Sequence, residues 1–255
     1  VRIGFRTAGF KGWETERVVD VLAAIGYHGV ELCLEAPDLR PETTKEERCE
    51  ELRRRMDLLN IAVASVSYHG DGEPSEQRAE NQIRAVQIAA WFGSEVLVLN
   101  SERAQENREQ QWEAFVNHVR RLAEEAERYG VYLAFEPEPL LLLENTEDML
   151  RLIREVGSPR VAVNLDIGHC HITDPDPPAS IRRLGRRIVH IHVEDILDKE
   201  HKHLIPGQGN LEIKPILAAL RNIGYHGYYT IDLFDLGDDP EATARKCLEA
   251  FQSWK

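Results

Sequence analysis

Four apolar runs in this chain each end in a group that can ligate a cation or move a proton. Ala134-Phe135 leads into Glu136, and Val161-Ala162-Val163-Asn164-Leu165 leads into Asp166, with Gly168-His169 just beyond. Ile188-Val189-His190-Ile191-His192 carries two imidazoles, and Tyr228-Tyr229-Thr230-Ile231 leads into Asp232. Acids and imidazoles at the ends of buried strands are costly to hold without partners. One Glu, two Asp and one His make a donor set suited to a divalent metal ion. Of the two histidines, His192 is preferred because it stands nearer the strand end, with His190 a layer deeper. Asp232 is preferred to the neighbouring acid Asp235.

These groups can meet only if the strands carrying them are neighbours. Period-2 and period-3.6 patterning predicts strands over 2–8, 30–35, 61–69, 96–100, 131–138, 161–166, 188–194 and 227–234. Helices are predicted over 14–25, 44–60, 75–92, 107–129, 146–156, 213–223 and 240–253, with a short one opened by Pro175-Asp176-Pro177-Pro178. The clearest is 107–129, where Trp112, Val116, Val119, Ala123 and Ala126 recur at helical spacing. Eight strands alternating with eight helices, with no linker-like break, imply parallel strands. The expected architecture is α/β, a single-domain (β/α)8 barrel over 1–255. A doubly wound open sheet is the rival, but no Gly-x-Gly-x-x-Gly turn supports it.

Strand parity tests this reading, because side chains alternate between the two faces. Glu136 shares a face with Ala134, Asp166 with Asn164, His192 with His190, Asp232 with Thr230, and His69 with Ser65 and Ser67. The opposite face carries Leu133, Phe135, Val163, Leu165, Val189, Ile191 and Ile231, which suit a helix-facing layer. The polar set therefore points into the barrel at its C-terminal end, where active sites of this architecture lie. Arg6 and Glu31 also point inward and are expected to form a structural ion pair. In strand six, Gly168 reads as a turn glycine between the acid and His169.

Composition narrows the partners. The chain has 255 residues, is 42% hydrophobic and carries a formal net charge of −13. An acidic surface argues against gripping nucleic acid. No apolar run is long enough to cross a bilayer. The four cysteines form no Cys-x-x-Cys pair and are expected to be reduced thiols. The chain opens directly on a predicted strand, with no secretion signal, so a cytoplasmic location is expected.

Taken in order, Glu136-Pro137, Asn164-x-Asp166-x-Gly168-His169, His190-x-His192-x-Glu194-Asp195 and His203-x-x-Pro206-Gly207-x-Gly209 resemble the xylose-isomerase-like barrel superfamily. Its sugar epimerases, sugar and inosose isomerases and hydroxypyruvate isomerases are the nearest in look. The resemblance implies that Glu136, Asp166, His192 and Asp232 hold one divalent ion (Mn²⁺, Mg²⁺, Co²⁺ or Zn²⁺). It implies Glu136 and Asp232 as the acid/base pair, with His169 on a substrate oxygen. The implied reaction is isomerisation or epimerisation of a small sugar, keto-sugar or inosose through an enediolate. Dehydration of a related polyol ketone is the alternative. Family habit suggests a homodimer or homotetramer. Two departures stand out: the strand-eight acid is usually Glu, and no Arg follows soon after His192, where Asp195 and Asp198 stand instead.

His69 is read as a substrate contact or a hydrogen-bonded rim histidine, and His203 as a substrate or lid residue or a solvated loop histidine. Glu138 is expected to brace the end of strand five, Trp13 to be a rim aromatic and Trp112 a core residue. Two other classes offer rival readings. The abasic-site endonucleases that resemble endonuclease IV use three zinc ions, but strand four ends in Leu99-Asn100-Ser101 rather than a His ligand. A non-catalytic binding barrel would treat Asp232 as a mark of lost activity.

Overall fold

The structure is a computed structural model and describes residues 1–254. Eight parallel strands close into a barrel in sequence order: β1 (Arg2–Arg6), β2 (Gly29–Cys33), β3 (Ala62–Ser67), β4 (Val96–Leu99), β5 (Tyr132–Phe135), β6 (Val161–Asp166), β7 (Ile188–Val193) and β8 (Tyr228–Ile231). The ring closes where β1 pairs with β8, from Arg2 opposite Tyr228 to Phe5 opposite Ile231. Among the described residues there are nine α-helices: α1 (Thr15–Ile25), α2 (Glu46–Leu58), α3 (Ser75–Trp91), α4 (Arg108–Tyr129), α5 (Thr146–Val156), α6 (Ile167–Thr173), α7 (Pro177–Leu184), α8 (Ile213–Asn222) and α9 (Pro240–Ser253). None is long and apolar enough to cross a membrane.

The expected count of eight helices is corrected by α6. It starts directly after β6 because Asp166 caps it, accepting the His169 backbone N–H at 2.7 Å. Gly168 is thus a first-turn helical residue rather than a turn glycine. A Cβ there would collide with Glu194 Oε1, so glycine is what admits the Glu194 carboxylate to the helix end. The other helix ends follow local chemistry. Asn145 and Asp176 cap α5 and α7 through their side chains, and Gly26 and Gly130 end α1 and α4 in left-handed conformation.

The main core lies between barrel and helices. Phe135 on β5 is fully buried and meets Phe115 of α4 edge-to-face at 5.7 Å. Inside the barrel the contents are polar: Arg6, Glu31, Ser65, Ser67, Asn164, His190 and Thr230 are all buried. Register sets these groups side by side. Arg6 stands opposite Glu31, Asn164 opposite His190, Asp166 opposite His192, and His192 opposite Thr230. Irregularities at Val30/Glu31 and Val163/Asn164 shift the pairing by one residue just below the site.

Phe135→Ala removes a ring that ties barrel to helix layer. The expected cost is about 3–5 kcal/mol, read as a lower urea midpoint with an unchanged m-value.

Candidate metal centre

The four expected ligands converge. Glu136, Asp166, His192 and Asp232 are all buried and each offers one ligand atom, all within 4.8 Å of one another. Glu136 and Asp232 sit one residue past β5 and β8, while Asp166 ends β6 and His192 is the penultimate residue of β7. His192 Nδ1 lies 3.3 Å from Glu136 Oε1 and 3.4 Å from Asp232 Oδ2. Asp235 is on the exposed loop beyond β8, so the competing acid falls outside the cluster.

Two features fit a cation. Asp166 divides its oxygens: Oδ1 caps α6, whereas the buried Oδ2 has no hydrogen-bond partner among the described residues. Glu136 Oε2 is likewise buried and unpartnered. Unsatisfied buried carboxylate oxygens are expensive unless a cation or proton reaches them. The donor set, three carboxylates and one imidazole, is that of a harder divalent ion.

A ring of support holds the ligands. His192 Nε2 is 3.1 and 3.0 Å from the two Glu31 oxygens, which turns Nδ1 toward the cluster. Arg6 Nε lies 3.1 Å from Glu31, confirming the expected ion pair. Its role is wider than that pair, however, since Arg6 Nη1 also lies 3.3 and 3.1 Å from the two oxygens of Asp232. His190 lies a layer deeper, as expected, within 3.1 Å of Ser65 Oγ and Glu31. Burial opposes charge on His192, yet Glu31 and Glu136 more than offset it and lift its pKa well above the ordinary value. The same contacts overcome burial at Glu136 and hold its carboxyl well below the usual range. Asp166 goes the other way, pushed well up by burial and by the adjacent Glu194.

The predicted substrate contacts surround this cluster. His69 Nε2 is 3.5 Å from Glu136 Oε2, and its ring is buried. His169 Nδ1 is 3.4 Å from Glu136 Oε1. His203 lies in the loop after β7 but is not a solvated loop residue: its Nδ1 meets the Asp232 carbonyl oxygen at 2.9 Å and its ring lies 4.0 Å from that of Phe234. That loop is ordered by Asp195, whose carboxylate accepts from the backbone N–H groups of Gly207, Gly209 and Leu211 at 2.8–3.1 Å. Asp195 is therefore a loop organiser.

Three groups escaped the sequence reading. Glu194 enters the cluster's surroundings through Gly168, whose N–H it accepts at 2.6 Å, and burial pushes its pKa up to about 8. His201 swings in from the exposed loop to put Nε2 2.9 Å from His169 Nε2. Glu35 accepts the Gly70 N–H at 2.9 Å and the His69 N–H beside it, fixing the end of β3. The signal for Glu194 was its place immediately after the β7 run. Nothing local marks His201. Glu35 also lines a cavity of about 260 Å³ between the loops after β1 and β2, together with Phe10, Lys11 and Trp13. Trp13 is thus at the rim, and Trp112 is a core residue, buried with its Nε1 donating to Glu155.

Comparison with known proteins agrees with the fold. A family profile described as xylose isomerase-like TIM barrel matches residues 19–254. Inosose dehydratase of Lacticaseibacillus casei is 23% identical over 250 residues, spanning 85% of this chain and 81% of its own length. Fructoselysine 3-epimerase of Shigella flexneri is 22% identical over 269 residues, spanning 99% of this chain and 98% of its own length. Among solved structures, the IOLI protein with a bound zinc atom superposes with a TM-score of 0.83 at 18% identity, covering 99% of this chain and 97% of that one.

Glu138, beside the cluster, offers a pH test. Burial pushes its carboxyl up to about 7, and the Glu136 charge adds to the effect. A carboxyl raised in the folded state binds its proton more tightly there than in the unfolded chain. Stability should therefore fall as pH rises from about 4.5 through about 7 and level off above. Glu138→Gln should flatten that slope and stabilise the metal-stripped protein at pH 8 by roughly 2–3 kcal/mol, with little effect at pH 4, in urea unfolding at both values.

Proposed function

For a chain that belongs to the xylose isomerase-like TIM barrel family, we propose a divalent-metal-dependent isomerase or epimerase acting on a small sugar, keto-sugar or inosose. The observation that carries the reading is the convergence of Glu136, Asp166, His192 and Asp232 at the C-terminal mouth of the barrel, with two of their buried oxygens left unpartnered. Both curated relatives described above are enzymes that act on polyhydroxylated carbonyl compounds, one a dehydratase and the other an epimerase.

Glu136, Asp166, His192 and Asp232 would hold the ion. When bound, it supplies electrophilic stabilisation for the oxyanion that develops when a proton leaves the carbon beside a carbonyl. The chain does the rest. Glu136 takes or returns that proton through a carboxylate whose position His192 and His69 fix. Asp232 stands across His192 from it, anchored by Arg6, and serves as the opposing acid/base. Being one methylene shorter than Glu, it depends on the Arg6 anchor to present its oxygens at the right height. His69, His169 and His203 line the mouth and would hold substrate hydroxyls and carbonyl oxygen. Proton return to the opposite face gives an epimer, and return to the adjacent carbon gives an aldose–ketose pair. Departure of a β-hydroxyl instead gives dehydration, the second reading, which the inosose dehydratase relative favours.

Metal-stripped protein dialysed against Mn²⁺ should bind one ion per chain, and that ion should be lost in Asp166→Ala and Asp232→Ala. Retention in Asp232→Ala would remove the strand-eight acid from the site, and no binding in the parent protein would overturn the reading. With Mn²⁺ restored, ketoses and inososes screened in deuterated water should show solvent-proton exchange. Glu136→Gln should slow that exchange by about 10²–10⁴-fold.

A further inference from the structure

Among the described residues two arginines are buried, and their surroundings differ. Arg6 is ion-paired with Glu31 and Asp232. Arg78, in the first turn of α3 and only 6% exposed, pairs with no carboxylate among the described residues. Its Nε donates to the His69 carbonyl oxygen at 2.6 Å. Its Nη2 donates to the Asn100 carbonyl oxygen at 3.1 Å and to Asn100 Oδ1 at 2.6 Å. These contacts use the N–H groups on one side of the guanidinium fork. Nη1, which carries the rest, makes no hydrogen bond to a described residue. A buried charge without a counter-charge is costly, and burial holds the Arg78 pKa below its ordinary value.

Arg78 lines a cavity of about 380 Å³ bounded by α3, α4 and the loops after β4 and β5. That is the size of a small-molecule site, and none of its walls comes from the four-ligand cluster. Ala79, Ala114, Phe115 and Leu142 make part of the wall apolar. Arg121 is the second cation on the wall, and Glu102 is its one carboxylate among the described residues. His118 adds no charge at neutral pH, because burial, Arg121 and Arg78 hold its pKa down to about 4. Two positive groups against one negative leave the wall net positive, in a chain whose formal net charge is −13.

We propose that this cavity binds a small organic monocarboxylate, with its carboxylate on Arg78 Nη1 and its apolar body against Phe115 and Leu142. The carboxylate supplies the counter-charge that Arg78 lacks and accepts from the N–H groups left without partners. A dianionic phosphate suits the cavity less well, because Glu102 shares the wall. The cavity is tied to the barrel mouth through one side chain. The guanidinium that meets the ligand also holds the carbonyl oxygen of His69, whose Nε2 lies 3.5 Å from Glu136 Oε2. The inference does not rest on the four-ligand cluster being a metal centre.

The test titrates metal-stripped full chain, labelled with carbon-13 at its alanine methyls, with benzoate, benzamide and inorganic phosphate in turn. The Ala79 and Ala114 methyl signals are identified by their loss in Ala79→Leu and Ala114→Ser. Benzoate should shift both signals saturably, and benzamide, its neutral counterpart, should bind at least about tenfold more weakly. Arg78→Gln, which removes the charge, and Ala79→Leu, which fills the cavity, should each weaken benzoate by about tenfold or more, read at the Ala114 methyl. Should Arg78→Gln fail to fold, Ala79→Leu and the benzamide comparison decide. Benzoate that moves neither methyl would overturn the proposal. So would equal affinity for benzoate and benzamide, or an affinity for benzoate unchanged by the substitutions. Phosphate bound as tightly as benzoate would overturn the assignment to a monocarboxylate.

Discussion

His192 is fully enclosed and has carboxylates on both sides, and the rest of the site is arranged around that fact. Glu31 takes Nε2, while Glu136 and Asp232 crowd Nδ1. A buried charge without partners is severely destabilising, and one partner removed leaves the other exposed to the same penalty. The chain meets this constraint with a series of opposite charges running across the barrel: Asp232 to Arg6, Arg6 to Glu31 and Glu31 to His192. Each link comes from a different strand, so the network can form only when the barrel is closed. The same closure that buries these groups is therefore what makes them affordable.

The network does not use everything it gathers. Asp166 Oδ2 and Glu136 Oε2 stay unpartnered among the described residues, whereas the oxygens of Glu31 and Asp232 are all engaged. The free oxygens belong to two of the four strand-end groups, whereas Glu31, on the Nε2 side of His192, is fully engaged. Arg6 and Glu31 are therefore positioning groups for the proposed acid/base pair.

The loop after β7 adds the lid side of the site. Asp195 gathers the backbone N–H groups of Ile196, Gly207, Gly209 and Leu211 around one carboxylate, and the chain from Asp195 to Gly207 carries His201 and His203 over the mouth. Where the sequence reading saw two acids in place of a substrate-binding arginine, the structure shows one of them spending its charge on loop geometry. On the reading proposed above, substrate contacts in this quarter of the site fall to imidazoles, which can donate, accept or ligate.

Much of this was legible in the linear chain. Alternation of strand and helix patterns specified an eightfold barrel, and period-2 parity put Glu136, Asp166, His192 and Asp232 on the inner face, because side-chain direction along a strand is a local property. The helix α6 was hidden because its start depends on one side chain, Asp166, that also reads as a strand-end acid. Glu194, His201 and the link from Arg6 to Asp232 were hidden for a different reason. Glu194 reaches Gly168 only because a missing Cβ leaves room for it, His201 reaches His169 only because Asp195 folds its loop, and Arg6 reaches Asp232 only because β1 and β8 pair at the end of the ring. Sequence by itself determined which groups face inward and at which strand ends. Tertiary structure alone decided which of them touch, because contact between distant segments is set by register, closure and loop path, none of which has a local signature.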